Sequence, residues 1–270
     1  MNPKLSFLNE KAFRWGVVVF AVALIVRLFG IGWGLPNEAR NHSLHPDEPV
    51  VAMYSQTIEP AKLSFMPGFY NYGTLYLTMV RVAGDISIAY GGVDESLEGE
   101  ALVNDLLAKI HKAGRMLSAL AGAGTAWVVF LILFSRTNLF GSLLGSAAIA
   151  FAPAHVIHSR FQTVDVVAAF FLLLSLHYAL KLLPDSDEAK ENLSSTALKF
   201  AALSGLFAGL SAGTKYTGIL ALLALLVACW KSEAAEKWKA FGYGVGAALI
   251  AFLVTTPGAL LDSAAVSYTH

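Results

Sequence analysis

The chain has 270 residues, of which 56% are apolar and only 14% are charged, and its formal net charge is zero. Soluble domains are usually nearer half apolar and a quarter charged, so this composition excludes an ordinary soluble protein. The balanced charge also gives no support for a nucleic-acid-binding protein or a polybasic membrane anchor.

Seven apolar stretches predict an all-α polytopic membrane protein with a transmembrane core of 1–262. Several run for about 18 residues or more with almost no ionisable group, enough to cross a hydrocarbon layer of about 30 Å as a helix. The first stretch is too long for a signal peptide and lacks a small-residue cleavage site, so we predict an uncleaved span. The predicted spans are 14–34, 112–134, 139–158, 164–183, 198–213, 216–231 and 240–258.

Glycines recur at close intervals within these spans. Gly205 and Gly209 lie about one helical turn apart, and Gly242, Gly244 and Gly246 follow in the last span. Because small residues let helix backbones approach closely in lipid, we predict that these glycines serve helix packing.

The segment 69–91 is also apolar, but it carries Arg81 and Asp85 near its middle. Placing either charge at the centre of a bilayer costs roughly 2.5–3.5 kcal/mol. Aromatic residues cluster at its start, which favours a helix that lies in the membrane interface and does not cross. We therefore predict a large outer loop, 35–111, that contains interfacial helices.

Basic residues in the short loops favour the same topology. If 69–91 does not cross, the lysine-rich loops share a side with the N-terminal basic residues, and the opposite short loops hold only Arg160 and Lys215. Because basic residues prefer cytoplasmic loops, this arrangement predicts a cytoplasmic N-terminus and an extracytoplasmic loop 35–111. The residues on the predicted inner side are Lys4, Lys11, Arg14, Arg136, Lys181, Lys190, Lys199, Lys231, Lys237 and Lys239.

The segment HPDEP places two adjacent carboxylates after the first span. Asp47 can cap a following helix, with Glu48 complementing the helix dipole. Alternatively, Asp47 is a catalytic general base that takes a proton from an acceptor hydroxyl or amine, with Glu48 beside it in the active site. The two roles are compatible. His45, just before the acids, is a candidate substrate-binding residue.

A second group of polar residues lies at the outer ends of later spans. Asp165 opens the fourth span and either caps its helix or faces the same cavity as Asp47, where the two acids could also hold a divalent cation. Arg160 and Lys215 either anchor the chain at the interface or bind the phosphate of a lipid-borne donor. Tyr216 follows Lys215 as a further candidate binding residue. No other cofactor is predicted.

Two other classes of function compete with catalysis. A transporter is expected to place charged or broken-helix features near the bilayer midplane, whereas most ionisable residues here lie at span ends. A retinal protein needs a lysine inside its seventh span, and 240–258 holds none. A non-catalytic scaffold derived from the same helix bundle is the remaining alternative.

Several segments resemble the bacterial and archaeal membrane glycosyltransferases of the GT-C fold, which are related to the protein O-mannosyltransferases and the lipid A aminoarabinose transferases. The segments are LHPDEPVV, FYNYGTLYL, HSRFQTVDVVAAFFLLL and GLSAGTKYTGILALL, with TTPGALLD as a weaker fifth. The resemblance implies that a sugar is transferred with inversion from a polyprenyl-phosphate carrier to a lipid, glycan or protein acceptor outside the cytoplasm. It also implies that Asp47 is the catalytic carboxylate, that Glu48 is its neighbour and that Asp165 is the second acid.

The same resemblance bears on location and completeness. It indicates a multi-pass protein of a prokaryotic plasma membrane, with membrane lipids as partners. Members of this family generally continue with further spans, whereas this chain ends shortly after its seventh. The resemblance therefore implies a truncated core, in which 263–270 form an outer stub.

Overall fold

The computed structural model describes residues 3–183, 187–262 and 264, which form α-helices joined by loops and two short 3-10 helices, with no regular β-strand among them. This confirms the predicted all-α class. The α-helices are α1 (Pro3–Leu28), α2 (Asp47–Ser55), α3 (Thr74–Gly91), α4 (Gly99–Phe134), α5 (Leu139–Ala150), α6 (Pro153–His158), α7 (Val164–Leu180), α8 (Asp187–Thr214), α9 (Ala221–Lys231), α10 (Lys237–Thr255) and α11 (Gly258–Leu261).

Three of the described helices are long and apolar enough to cross a membrane, and three shorter apolar helices accompany them. Their length and composition agree with an integral membrane protein, as the sequence predicts. The long ones are Gly99–Phe134, Thr196–Thr214 and Lys237–Thr255, and the shorter ones are Leu139–Ala150, Val164–Leu180 and Tyr216–Lys231.

Hydrogen bonds between helix ends show how the bundle is ordered. Arg27, near the carboxyl end of α1, donates to the Ala150 carbonyl at the carboxyl end of α5. Thr256, just after α10, donates to the Gly213 carbonyl near the end of α8. The carboxyl ends of α1, α5, α8 and α10 thus lie at one end of the bundle, which we call the loop end because the 29–98 segment covers it. At the opposite end, Arg136 after α4 donates to the carbonyls of Leu180, the last residue of α7, and of Leu183 just after it.

Several helix bounds differ from the predicted spans. The predicted span 112–134 is the second part of α4, which begins 13 residues earlier at Gly99. The first turns of α4 carry polar residues, so a search for apolar stretches does not include them. The predicted span 14–34 ends at Leu28, and Gly30 follows with a positive φ of 78°. The predicted stub 263–270 lies outside the described residues apart from Ala264.

The predicted span 139–158 is broken. Helix α5 ends at Ala150, and α6 begins at Pro153, whose ring occupies the first turn of the new helix. Proline cannot continue a preceding helix, which explains the break. The fully buried Arg27 donates to the Ala150 carbonyl and contacts His155, so its guanidinium covers carbonyls that the break leaves open.

The predicted outer loop 35–111 contains α2, α3 and the first turns of α4. At the start of α3, the Tyr76 hydroxyl donates to the Gly114 carbonyl, and at its end Lys109 donates to the Gly92 carbonyl. Both ends of α3 therefore contact the first part of α4.

A buried apolar core lies beneath this loop and joins α2, α3, α4 and α7. Val51 of α2, Tyr76 and Val80 of α3, Ile110 of α4 and Val167 of α7 all belong to it. Burying apolar side chains from four helices fixes their relative positions. The polar residues at the start of α2 and of α7 are therefore carried on one packed unit.

Candidate active site

Asp47 is the first residue of α2 and its side chain is exposed. The preceding Pro46 makes no side-chain cap, and the Asp47 backbone N–H donates to Nδ1 of His45 at 3.3 Å. Pro49 lies in the first turn, where a missing N–H leaves no hydrogen bond unmade. The Asp47 carboxylate is free to contact a ligand at the surface of the loop end.

Asp165 lies in the first turn of α7 and is paired with Lys215, which follows the end of α8. Lys215 Nζ contacts Asp165 Oδ1, and the two side chains are 36% and 52% exposed respectively. The contact joins residues that are 50 positions apart in the chain. The structure therefore brings together two of the residues that the sequence singled out.

Tyr72 connects this ion pair to Asp47. Burial raises the pKa of Tyr72, the negative charges of Asp47 and Asp165 raise it further, and the positive charge of Lys215 opposes them. The phenol is therefore within electrostatic reach of all three charged groups. We call Asp47, Tyr72, Asp165 and Lys215 the acidic site.

The loop that carries Tyr72 is attached to the carboxyl ends of α8 and α10. The Gly73 N–H donates to the Thr214 carbonyl at 3.2 Å, and the Thr74 N–H donates to the Thr256 hydroxyl at 3.2 Å. A Cβ on Gly73 would lie 2.0 Å from the Gly213 carbonyl oxygen, so only glycine permits this approach. The loop thereby places Tyr72 next to the residue that follows Thr214, which is Lys215.

Glu48, the neighbour of Asp47, is in a different environment. Its carboxylate is fully buried and accepts two hydrogen bonds from Arg115, at 2.8 and 2.7 Å. The Ser43 hydroxyl and the Gln162 backbone N–H, the latter at 2.7 Å, complete its contacts. Burial alone would raise the pKa of Glu48, but the hydrogen bonds from Arg115, Ser43 and Gln162 lower it below its ordinary value. Glu48 is thus an ionised group inside the protein.

Arg160 and His45 both lie near Phe161, in separate contacts. Arg160 donates to the Val26 carbonyl at 2.8 Å, and its Nε is buried without a hydrogen-bond partner in the described part of the chain. The His45 ring packs on Phe161 at 4.5 Å between centroids. Arg160 lines a cavity of about 280 Å³ and does not contact the Asp165–Lys215 pair. The cavity is lined by Phe29, Gly30, Trp33, Ile157, Arg160 and Phe161.

Tyr216, the last predicted binding residue, is half-buried and packs edge-on against Phe252 of α10 at 6.2 Å. Its ring therefore contacts α10, whereas its neighbour Lys215 contacts α7. The prediction that Tyr216 binds substrate stays a prediction.

The possibility that Asp47 and Asp165 hold a divalent cation stays a prediction. Lys215 contacts one oxygen of Asp165 in this structure. Among the described residues, no group of three or more His, Cys, Asp or Glu side chains is placed to hold a metal ion. A hard divalent cation usually takes six or more oxygen ligands.

Three residues in or beneath the acidic site were not identified from the sequence as site residues. Arg115 was included in an apolar span although a charged residue there calls for a partner, and that signal could have led to Glu48. Tyr72 was noted only as one of the aromatic residues at the start of the apolar segment 69–91. Gln162 gave no signal, because its backbone contact with Glu48 and its side-chain contact with His111 both join residues far apart in the chain.

Comparison with known proteins adds one finding. The family model for dolichyl-phosphate-mannose-protein mannosyltransferases matches residues 85–261, which include Arg160, Asp165 and Lys215 but not Asp47. No curated protein and no solved structure matches the chain. Because the match covers more than half of the 270 residues, this helical integral membrane protein belongs to the dolichyl-phosphate-mannose-protein mannosyltransferase family and is a glycosyltransferase of the mannosyltransferase kind.

Proposed function

We propose that the protein transfers a sugar, with inversion, from a polyprenyl-phosphate carrier to an acceptor on the extracytoplasmic side, with Asp47 as the general base. The observation that carries this proposal is the acidic site itself, in which an exposed carboxylate and a lysine–carboxylate pair lie within electrostatic reach of the same tyrosine. The family's description supports a lipid-phosphate mannose donor and a protein acceptor.

Asp47 is suited to remove the proton of the acceptor. Its carboxylate is exposed and does not cap its own helix, so a bound hydroxyl can reach it. As the acceptor O–H gives its proton to Asp47, the oxygen bonds to the anomeric carbon of the sugar. The bond from that carbon to the carrier phosphate breaks, and the phosphate leaves with the electron pair. A positioned general base of this kind contributes about 10²–10⁴-fold to the rate.

Lys215 and Asp165 serve the two ends of the same displacement. A leaving phosphate gains negative charge, which the Lys215 ammonium stabilises as a point charge. Asp165, which holds Lys215 in place before the donor binds, accepts a hydrogen bond from the acceptor or the sugar. The phenol of Tyr72 is within electrostatic reach of these charges and supplies a hydrogen-bond donor beside them.

The cavity beside Arg160 suits the lipid carrier. Its walls are apolar apart from Arg160, whose buried Nε–H has no partner among the described residues. Apolar walls can receive the prenyl chain, and the Arg160 guanidinium attracts the anionic phosphate to this end of the bundle, where Lys215 stabilises it as it leaves. His45, which packs on Phe161 and accepts from the Asp47 N–H, can contact the sugar.

The glycosyl transfer assay tests the proposal with purified protein and a radiolabelled polyprenyl-phosphate mannose donor. We expect Asp47→Asn to lower turnover by about 10²–10⁴-fold, because the amide cannot take the proton. The exposed acid Glu38, from the same outer loop, provides the matched control, and Glu38→Gln should keep normal turnover.

Near-normal turnover in Asp47→Asn would remove Asp47 as the base. Donor binding without turnover by the unmodified protein would favour a non-catalytic scaffold instead. An Asp165→Ala variant should lose less activity than Asp47→Asn, and unchanged kinetics would leave Asp165 with a structural role only.

A further inference from the structure

We propose that Gln162 is a positioning residue that holds the segment of Asp47 and the segment of Asp165 at a fixed distance. Its effect on turnover rests on the function proposed above, whereas its effect on the distance does not. Neither Gln162 nor its partner His111 belongs to the acidic site.

Gln162 is fully buried and makes contacts in two directions. Its backbone N–H donates to Oε1 of Glu48 at 2.7 Å. Its side-chain Oε1 accepts a hydrogen bond from Nδ1 of His111 at 2.6 Å. His111 is itself 1% exposed, so this bond is shielded from water. Hydrogen bonds between buried groups are costly to break, because a partner left alone cannot bind water.

These contacts link both acids to the same part of α4. Glu48 directly follows Asp47, and it is held by Arg115 of α4. Gln162 lies three residues before Asp165 and is held by His111, one helical turn before Arg115. The Glu48–Gln162 hydrogen bond then closes the link between the two segments. Movement of Gln162 would therefore change the separation of Asp47 and Asp165.

The surface of α4 is shaped to receive the Gln162 side chain. Gly114 lies between His111 and Arg115 in the sequence, and a Cβ added to it would be 2.4 Å from Cγ of Gln162. The absent side chain leaves a notch that the glutamine fills. Adding a methyl group at Gly114 would displace Gln162 without altering any hydrogen-bonding group.

The distance between the two segments can be measured without reference to activity. Spin labels on Asp47→Cys and Asp165→Cys, in a Cys229→Ser background, report their separation. We expect Gln162→Leu and Gly114→Ala each to shift or broaden the distance distribution. Gly242→Ala, a glycine with open space around it, should leave the distribution unchanged.

A second label pair shows whether the effect is local. Labels on Asp165→Cys and Thr217→Cys span α7 and the 3-10 helix after Lys215, which Gln162 does not bridge. We expect this distance to stay the same in Gln162→Leu. An unchanged Asp47–Asp165 distance in both variants would overturn the proposal, and so would equal broadening of both label pairs.

Kinetics supply an independent readout. We expect Gln162→Leu and Gly114→Ala to lower kcat by about 10–100-fold while the donor KM changes little, since misplacement of about 1 Å can cost 100-fold. His111→Asn keeps a donor near the Nδ1 position and should retain more activity than His111→Leu. If the unmodified protein shows no transfer activity, the proposed function is refuted. The role of Gln162 is then still decided by the distances between the spin labels.

Discussion

Asp47 and Glu48 are adjacent in one helical turn, yet they occupy opposite environments. Successive residues of an α-helix point about 100° apart, because each turn takes 3.6 residues. Asp47 therefore faces the surface, whereas Glu48 faces Arg115 inside the protein. The sequence shows two adjacent acids, and only the packing shows that one is exposed and the other is buried. The prediction that Glu48 takes part in the chemistry stays a prediction, and its contacts support a positioning role.

The Glu48–Arg115 pair makes stability depend on pH. Because the folded protein lowers the pKa of Glu48, the unfolded chain binds more protons in acid, and stability falls with falling pH. The contribution is complete above the ordinary carboxyl range and is lost as the pH falls through the folded pKa. Glu48→Gln removes this dependence and, by leaving Arg115 unpaired, lowers stability at neutral pH by about 3–5 kcal/mol.

Thermal unfolding in detergent from about pH 7 to about pH 4 measures this effect. We expect the unfolding temperature of the unmodified protein to fall more steeply with acidity than that of Glu48→Gln. Glu38→Gln, which alters an exposed acid, should follow the unmodified protein. Parallel curves for the unmodified protein and Glu48→Gln would contradict the prediction.

At the scale of the elements, α8 and α10 approach each other closely. A Cβ on Gly205 would lie 1.8 Å from the Gly244 carbonyl oxygen, and one on Gly209 would lie 2.3 Å from the Ala248 carbonyl oxygen. The prediction that glycines serve helix packing is confirmed at these positions. It is wrong for Gly242 and Gly246 within the part of the chain that the structure describes, since a Cβ there meets nothing within 4 Å.

A pair of glycine substitutions tests this contact. Gly205→Ala should destabilise the protein by about 1–3 kcal/mol or more, because the added methyl group forces the two backbones apart. Gly246→Ala should be neutral or stabilise by roughly 0.5–1 kcal/mol, since alanine is the better helix former. Unfolding temperatures of the two variants provide the measurement, and equal values would contradict the close approach.

At the scale of the whole molecule, the sequence predicts the apolar helices and their order, but not the contacts between them. Apolar stretches were identified by composition alone. They therefore did not predict the amphipathic start of α4 or the helix break before Pro153. That Asp165 and Lys215 share an end of the bundle follows from alternating helices. Their direct pairing, and the turn of Arg160 toward α1, depend on tertiary packing that no local pattern encodes.

The proposed topology predicts which side of the membrane each loop faces. Glu59 and Glu95 are exposed and lie before and after α3. If α3 does not cross, single cysteines at both positions react with a membrane-impermeant thiol reagent added outside, in a Cys229→Ser background. Ser135→Cys, after α4, should react only once the membrane is permeabilised. Labelling of Glu59→Cys and Glu95→Cys from opposite sides would refute the shared outer site.

The position of Arg27 has a consequence for assembly in the membrane. The carbonyl of Ala150 that it binds is 123 residues away in the chain. During synthesis, α1 therefore enters the bilayer with a guanidinium whose distant acceptor has not yet been made. In hydrocarbon such a group needs other polar contacts in the meantime. Arg27 can make its final contacts only after α5 has been inserted, so α1 and α5 pack together at the loop end late in assembly.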